Sequence, residues 1–332
     1  MFKKYIILII LILIISGCEK SADKTPDDSK TSDLTQESYL KGITLTPKSF
    51  QGSDFTDFFK KAQELGNIVS WAGDWNELSN TKNGGPTVVA SLASQYDYIP
   101  IIEAQFFTQS TGKLVRNLDD ITKQSYKTSA INFAEKFKPK YLGFGIEINI
   151  LYEKSPKDFD NFASFYNEVY DEVKKVSPDT KVFTMFQLEK MKGLNGGLFG
   201  GSNDPNKAQW QLLDKFSKSD LIAFTSYPNL IYKTPSEIPS NYYTEIKNYV
   251  NKPIAFTEIG WHTSQSPVGW ESSESEQAEF IKTFFELTKD INKEFVIYSF
   301  MFDQNTIEPF NSMGLYNEDG VPRASLNEWM NN

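Results

Sequence analysis

Eight short apolar runs, each followed by a stretch with helical character, set the tightest limit on what this chain can fold into. The runs occupy 41–47, 67–71, 99–107, 141–149, 180–188, 221–227, 254–263 and 294–302. Between them, helical patterns are read over 55–65, 87–95, 125–137, 208–216, 235–250 and 276–290. The clearest helix follows Ser155-Pro156-Lys157-Asp158, a capping serine with proline at the first helical position. Its Phe159, Phe162, Tyr166, Val169, Tyr170, Val173 and Val176 recur at three- and four-residue spacing and predict one buried face. Strand and helix patterns in strict alternation specify an α/β chain with a parallel sheet. Eight such units in about 290 residues predict a sheet closed on itself, the TIM barrel or (β/α)8 architecture. An open doubly wound sheet competes, but no glycine-rich phosphate loop follows the first strand. Gly143-Phe144-Gly145 lies inside a run rather than at a strand-to-helix turn.

The N-terminus has a different character. Met1 to Lys4 is basic, Tyr5 to Ile15 is continuously apolar, and Ser16-Gly17 precedes Cys18. The apolar run is shorter than the roughly 20 residues of a membrane-spanning helix, so it reads as a secretory signal. Ile15-Ser16-Gly17-Cys18 resembles the lipobox of prokaryotic lipoproteins. That resemblance implies removal of residues 1–17, lipidation of Cys18, and a domain held at the cell membrane on its extracytoplasmic face. Residues 19–38 are mostly Ser, Thr, Asp and Lys, too polar to offset their ordering entropy by burial, and read as a flexible tether. The barrel domain is then 39–332.

Composition removes several function classes. The formal net charge is -9, and it becomes more negative when Lys3 and Lys4 leave with the signal. Nucleic acid is therefore not the expected partner, because the phosphate backbone needs a basic face. One cysteine excludes an intramolecular disulfide. One histidine, His262, excludes the usual metal sites built from several histidines. A Ser-His-Asp hydrolase is disfavoured because no Gly-x-Ser-x-Gly elbow is present. No metal and no cofactor is implied, and the chain is expected to act as a monomer.

Two carboxylates stand out inside runs that otherwise read as barrel core. Glu147 interrupts Tyr141 to Asn149, and Glu258 ends Ile254-Ala255-Phe256-Thr257. Desolvating a charge is costly unless it is paired or hydrogen-bonded, so an acid in such a place calls for a reason. In a barrel, groups at the C-terminal ends of strands converge on one mouth. Opposed there, two carboxylates suit cleavage of a glycosidic bond, one protonating the leaving oxygen and the other attacking the anomeric carbon. That division of labour requires two environments that separate their pKa values.

Phe256-Thr257-Glu258-Ile259-Gly260-Trp261 resembles the nucleophile strand of the four/seven superfamily of retaining (β/α)8 glycosidases, and in particular its endo-β-1,3-glucanases and arabinogalactan endo-β-1,4-galactanases. Phe224-Thr225-Ser226-Tyr227-Pro228 is similar to the strand-six segment whose tyrosine supports the nucleophile. The segment 295–303 looks like the strand-eight wall, and 314–323 looks like the closing segment before the final helix. The resemblance implies Glu147 as general acid/base, Glu258 as nucleophile and a β-linked polysaccharide or oligosaccharide as substrate. One departure stands out. The superfamily places asparagine immediately before the acid/base, where this chain has Ile146. Asn149, on the same face as Glu147 by strand alternation, is the candidate substitute.

Further candidates cluster at the predicted strand ends. Trp71 and Trp261 offer indole faces for stacking on sugar rings or for packing. Glu103, Gln105 and Gln187 can hydrogen-bond substrate hydroxyls or satisfy one another inside the barrel. His262 is a candidate substrate contact, and Asp303 binds a hydroxyl or pairs with a cation. The competing reading of the whole chain is a barrel without catalysis, a lipoprotein that binds glycans or plays a structural role.

Overall fold

The computed structural model describes residues 39–332. The expected signal, Cys18 and the tether lie outside the described residues. Among those residues no helix is long and apolar enough to cross a membrane.

The strands are β1 (Leu40–Thr44), β2 (Ile68–Asp74), β3 (Ile99–Gln105), β4 (Tyr141–Phe144), β5 in two runs (Lys181–Phe183 and Met185–Gln187), β6 (Ile222–Ser226), β7 (Ile254–Ile259) and β8 (Lys293–Tyr298). Each pairs in parallel with its successor, and β8 returns to β1 with Phe295 opposite Leu40. The first run of β5 pairs with β4 and the second with β6, so the ring is complete apart from a break at Thr184. A short antiparallel hairpin, Phe107–Thr108 with Lys113–Leu114, follows β3.

Alternation along these strands separates two cores. Ile68, Ile101, Tyr141, Phe183, Met185, Ala223, Ala255, Phe295 and Ile297 fill the bore. Val69, Ile102, Leu142, Phe224, Phe256 and Val296 face the surrounding helices. Those helices are α1 (Gly52–Leu65), α2 (Gly85–Leu92), α3 (Asp120–Phe137), α4 (Ile148–Lys154), α5 (Pro156–Val176), α6 (Leu188–Met191), α7 (Glu274–Thr288) and α8 (Ala324–Asn331).

The α5 stripe packs as its spacing predicts, with Phe159, Phe162, Tyr166, Val169 and Val173 buried. Its first turn differs from expectation. Ser155 does not cap the backbone; its hydroxyl donates to Asp158 Oδ2 at 2.6 Å. In α7 a serine does cap the backbone, Ser273 Oγ accepting from Glu276 N at 3.2 Å.

Two expected helices are corrected. Over 208–216 the chain tightens into a 3-10 segment, Trp210–Phe216. Over 235–250 there are only short 3-10 turns, Pro235–Glu237 and Thr244–Asn248. Pro239 explains the second, because the residue before a proline is driven out of helical geometry, and Ile238 is extended at φ -66, ψ 121.

Candidate active site

The acid on the fourth strand is delivered by a turn rather than by the strand itself. β4 stops at Phe144 because Gly145 takes φ +80, where a Cβ would lie 2.5 Å from Ile148 Cγ2. Glu147 follows at φ 57, ψ 43, a left-handed conformation that is uncommon for a side chain of its size, and α4 begins at the next residue. Strain of this kind persists only where the surroundings impose it, and it concentrates at functional positions. Gln105 braces the turn. Its Nε2 donates to the Ile146 carbonyl at 2.9 Å, while its Oε1 accepts from Phe106 N at 2.9 Å. Gln105 is thus a backbone support and not a free mouth residue.

Glu147 is buried, with 8% of its surface exposed, and its Oε1 accepts from Thr225 Oγ1 at 2.7 Å and from Gln187 Nε2 at 3.2 Å. Burial raises its pKa, and the charge of Glu258 raises it further.

Glu258 reaches the bore through an irregularity in β7. Simple alternation after Ala255 would turn Glu258 outward with Phe256. A register shift between Phe256 and Glu258 brings Glu258 opposite Thr225, which faces the interior. A bulge of this kind re-aims a side chain next to an active site. Part of Glu258 stays open to solvent. Its Oε2 accepts from Tyr227 Oη at 2.6 Å, and Tyr227 Oη lies 2.7 Å from Ser299 Oγ. Burial raises the Glu258 pKa, and the tyrosine hydrogen bond partly offsets this.

Two further carboxylates lie close by. Glu103 on β3 is 1% exposed with Oε1 unpartnered. Its pKa is driven well above the usual carboxylate range by burial and then by the charge of Glu258. Glu189, at the start of α6, is fully buried and accepts from Tyr242 Oη (2.7 Å), Tyr227 N (2.9 Å) and Ser226 Oγ (3.2 Å). The side chains that hydrogen-bond Glu147, Glu189 and Glu258 are Thr225, Gln187, Tyr227, Ser226 and Tyr242, none of them cationic.

The fold therefore gathers Glu103, Glu147, Gln187, Tyr227 and Glu258 at one end of the bore. Five other candidates go elsewhere. Asn149 belongs to α4, so strand alternation with Glu147 does not apply. Its amide is fully engaged, donating to Gln187 O and Gln209 Oε1 at 3.0 Å each and accepting from Gln187 N at 2.8 Å. It cannot take the place of the asparagine missing before the acid. Trp71 faces the outer layer, its ring lying over Gly73 and Gly85. Trp261 is fully buried between Phe280 and His262, with Nε1 donating to Ser272 Oγ at 3.1 Å. His262 is likewise buried, 3.1 Å from Asn229 Nδ2, and burial pushes its pKa down to about 4. Asp303 is held by Arg323 through both carboxylate oxygens at 2.7 Å and by Gly314 N at 2.9 Å.

Thr225, Ser299 and Glu189 were not singled out from the sequence. A carboxylate directly after β5 carries the same strand-end signal as Glu147 and Glu258. The short hydroxyl side chains carry none, because serine and threonine are ordinary strand residues.

Solved structures share this architecture at low identity. A family 39 glycoside hydrolase from the gut symbiont Bacteroides cellulosilyticus aligns with TM-score 0.60 and 15% identity over 87% of this chain and 62% of its own. An exo-beta-1,4-mannosidase from an Opitutaceae bacterium gives TM-score 0.61 and 12% identity over 88% and 59%. The beta-glucuronidase of Ruminococcus gnavus gives 0.56 and 14% over 88% and 49%. The fold is a TIM barrel. This chain spans less than two thirds of the length of these neighbours, and at such identity the likeness establishes the architecture alone. No family model matches the sequence, and no curated protein is significantly similar to it.

Proposed function

We propose that this chain is a retaining β-glycoside hydrolase with Glu147 as acid/base and Glu258 as nucleophile. One observation carries the reading. The glutamates following β4 and ending β7 meet at the same end of the bore, each held by a hydroxyl, Thr225 from β6 and Tyr227 just after it, and the charge of Glu258 adds to the burial that raises the pKa of Glu147. The glycosidase activities of the structural neighbours support the same class.

In the first step a carboxylate oxygen of Glu258 forms a bond to the anomeric carbon while the glycosidic C–O bond breaks. The bonding pair goes to the leaving oxygen, which takes the Glu147 proton. A water then attacks the anomeric carbon, gives its proton to Glu147, and the bond to Glu258 breaks. A buried, raised Glu147 suits the first step because it holds its proton at higher pH. The Tyr227 hydrogen bond suits Glu258 because it favours the ionised nucleophile. A carboxyl separation of about 5 to 5.5 Å corresponds to this double displacement.

The N-terminal reading completes the proposal. Cys18 anchors the domain to the cell membrane, and the tether of 19–38 presents the mouth to an external polysaccharide. Incubation with β-linked glucans, galactans, mannans and xylans tests the chemistry. Reducing ends should appear with wild type and not with Glu258→Gln, and proton NMR should show the β-anomer released first. No release from any member of the panel would favour the noncatalytic barrel. Replacement of Cys18 by alanine should move the protein out of the membrane fraction.

A further inference from the structure

We infer that Thr225 is a positioning residue for the acid/base: with Gln187 it holds one oxygen of Glu147 and thereby assigns the transferable proton to the other. This rests on the glycosidase reading above.

The geometry is specific. Thr225 Oγ1 at 2.7 Å and Gln187 Nε2 at 3.2 Å both donate to Glu147 Oε1. With Thr225 and Gln187 engaging both lone pairs of Oε1 as a carbonyl-type acceptor, the O–H of the protonated carboxyl falls to the other oxygen. The proton therefore sits on Oε2, which has no hydrogen-bond partner among the described residues and is not among their buried unpartnered atoms. Oε2 is thus the atom that gives its proton to the leaving oxygen and takes one back from water.

The clamp is built into the sheet. Gln187, Thr225 and Glu258 stand side by side on one rung of β5, β6 and β7, Thr225 paired to each of the others. The residue that orients the acid is therefore locked in register with the nucleophile, on backbone rather than on loops. Thr225 is fully buried, so its hydroxyl has little freedom to turn elsewhere.

A donor to Oε1 favours the ionised acid. Its removal makes Glu147 harder to ionise and leaves the carboxyl free to rotate. The test compares wild type with Thr225→Val, Thr225→Ser and Gln187→Met on nitrophenyl and dinitrophenyl β-glycosides of the sugar that wild type cleaves. For Thr225→Val, kcat/KM on the nitrophenyl substrate should fall about tenfold, while the dinitrophenyl substrate, whose leaving group needs no proton, should change less than about twofold. The alkaline limb of the pH profile should move upward by on the order of one unit. Thr225→Ser should restore both, and Gln187→Met should show a smaller shift in the same direction.

An unmoved or downward-moved limb, or equal losses on both leaving groups, would overturn the assignment. Should Thr225→Val not fold, the Thr225→Ser and Gln187→Met profiles decide by the same criteria. Failure of the underlying reading looks different. It appears in wild type, as cleavage that is absent or indifferent to Glu258→Gln, and it removes the Thr225 role with it.

Discussion

At the N-terminal end of the bore, Glu294 accepts from Tyr141 Oη at 2.6 Å and pairs with Lys181. At the C-terminal end, Glu103, Glu147 and Glu258 share a space where the donors are hydroxyls and an amide. Burial acts on all of them in the same direction, upward. At Glu294 the hydrogen bonds from Lys181 and Tyr141 reverse it, and the carboxyl lies below its ordinary value. At the other end nothing reverses it, and all three lie above. In the proposed hydrolase the contrast separates a carboxylate that closes a barrel from carboxylates kept poised for proton transfer. Pairing with a cation would have stabilised the second group, and would have removed its ability to hold a proton near neutrality.

The largest expected effect is catalytic. Glu147→Gln should lower release of reducing ends by about 10²- to 10⁴-fold, with a melting temperature no lower than wild type. A large loss of stability instead would place Glu147 with Glu294 as a structural acid.

Glu103→Met comes next. It replaces an unpartnered buried carboxyl by an apolar chain of similar length and should raise stability at neutral pH by about 1–3 kcal/mol. Because the folded state holds the Glu103 proton more tightly than the unfolded chain, wild type loses stability as pH rises above the unfolded value of about 4.3. The gain from the substitution should therefore shrink toward zero on acidification, as urea titrations at several pH values would show.

The opposite sign is expected at the other end. Lys181→Met should cost about 1 kcal/mol, a modest figure because the lysine is 37% exposed and partly screened. Glu294 is held low, so its contribution is present above its unfolded range and is lost as pH falls through the folded value. Wild type and variant should converge in acid, and cleavage should be unaffected.

His262 supplies the smallest effect and isolates burial from charge, since desolvation is the one cause acting on it. Its imidazole signals should stay flat from about pH 8 to 5 and move only near the folded value of about 4. Titration near its ordinary value would mean that the packing around Trp261 and Asn229 admits more water than its burial shows.

The alternation of runs and helices was legible because every strand of a closed parallel sheet carries apolar residues on both faces. Glu147 and Glu258 were legible for the same reason, as charges set in apolar surroundings. Their geometry was not. The strand through Asn149 was read as continuous because its residues are apolar enough to extend, yet Gly145 and Glu147 both turn left-handed. The inward aim of Glu258 depends on a register shift, which period-two reasoning cannot contain. Trp71 and Trp261 were read as strand-end residues, but Trp71 lies within β2 and both side chains join the outer packing, while His262 is buried beside Trp261. Asp303 had two readings, and Arg323, distant in sequence, chose between them.

The left-handed corner at position 147 gives this barrel a downhill path to silence. Asparagine and glycine tolerate φ 57 better than glutamate does, so in the proposed hydrolase either replacement would remove the acid/base and relax the main chain together. In a descendant of the proposed hydrolase no longer selected for cleavage, the residue at that corner is where the loss would first be read.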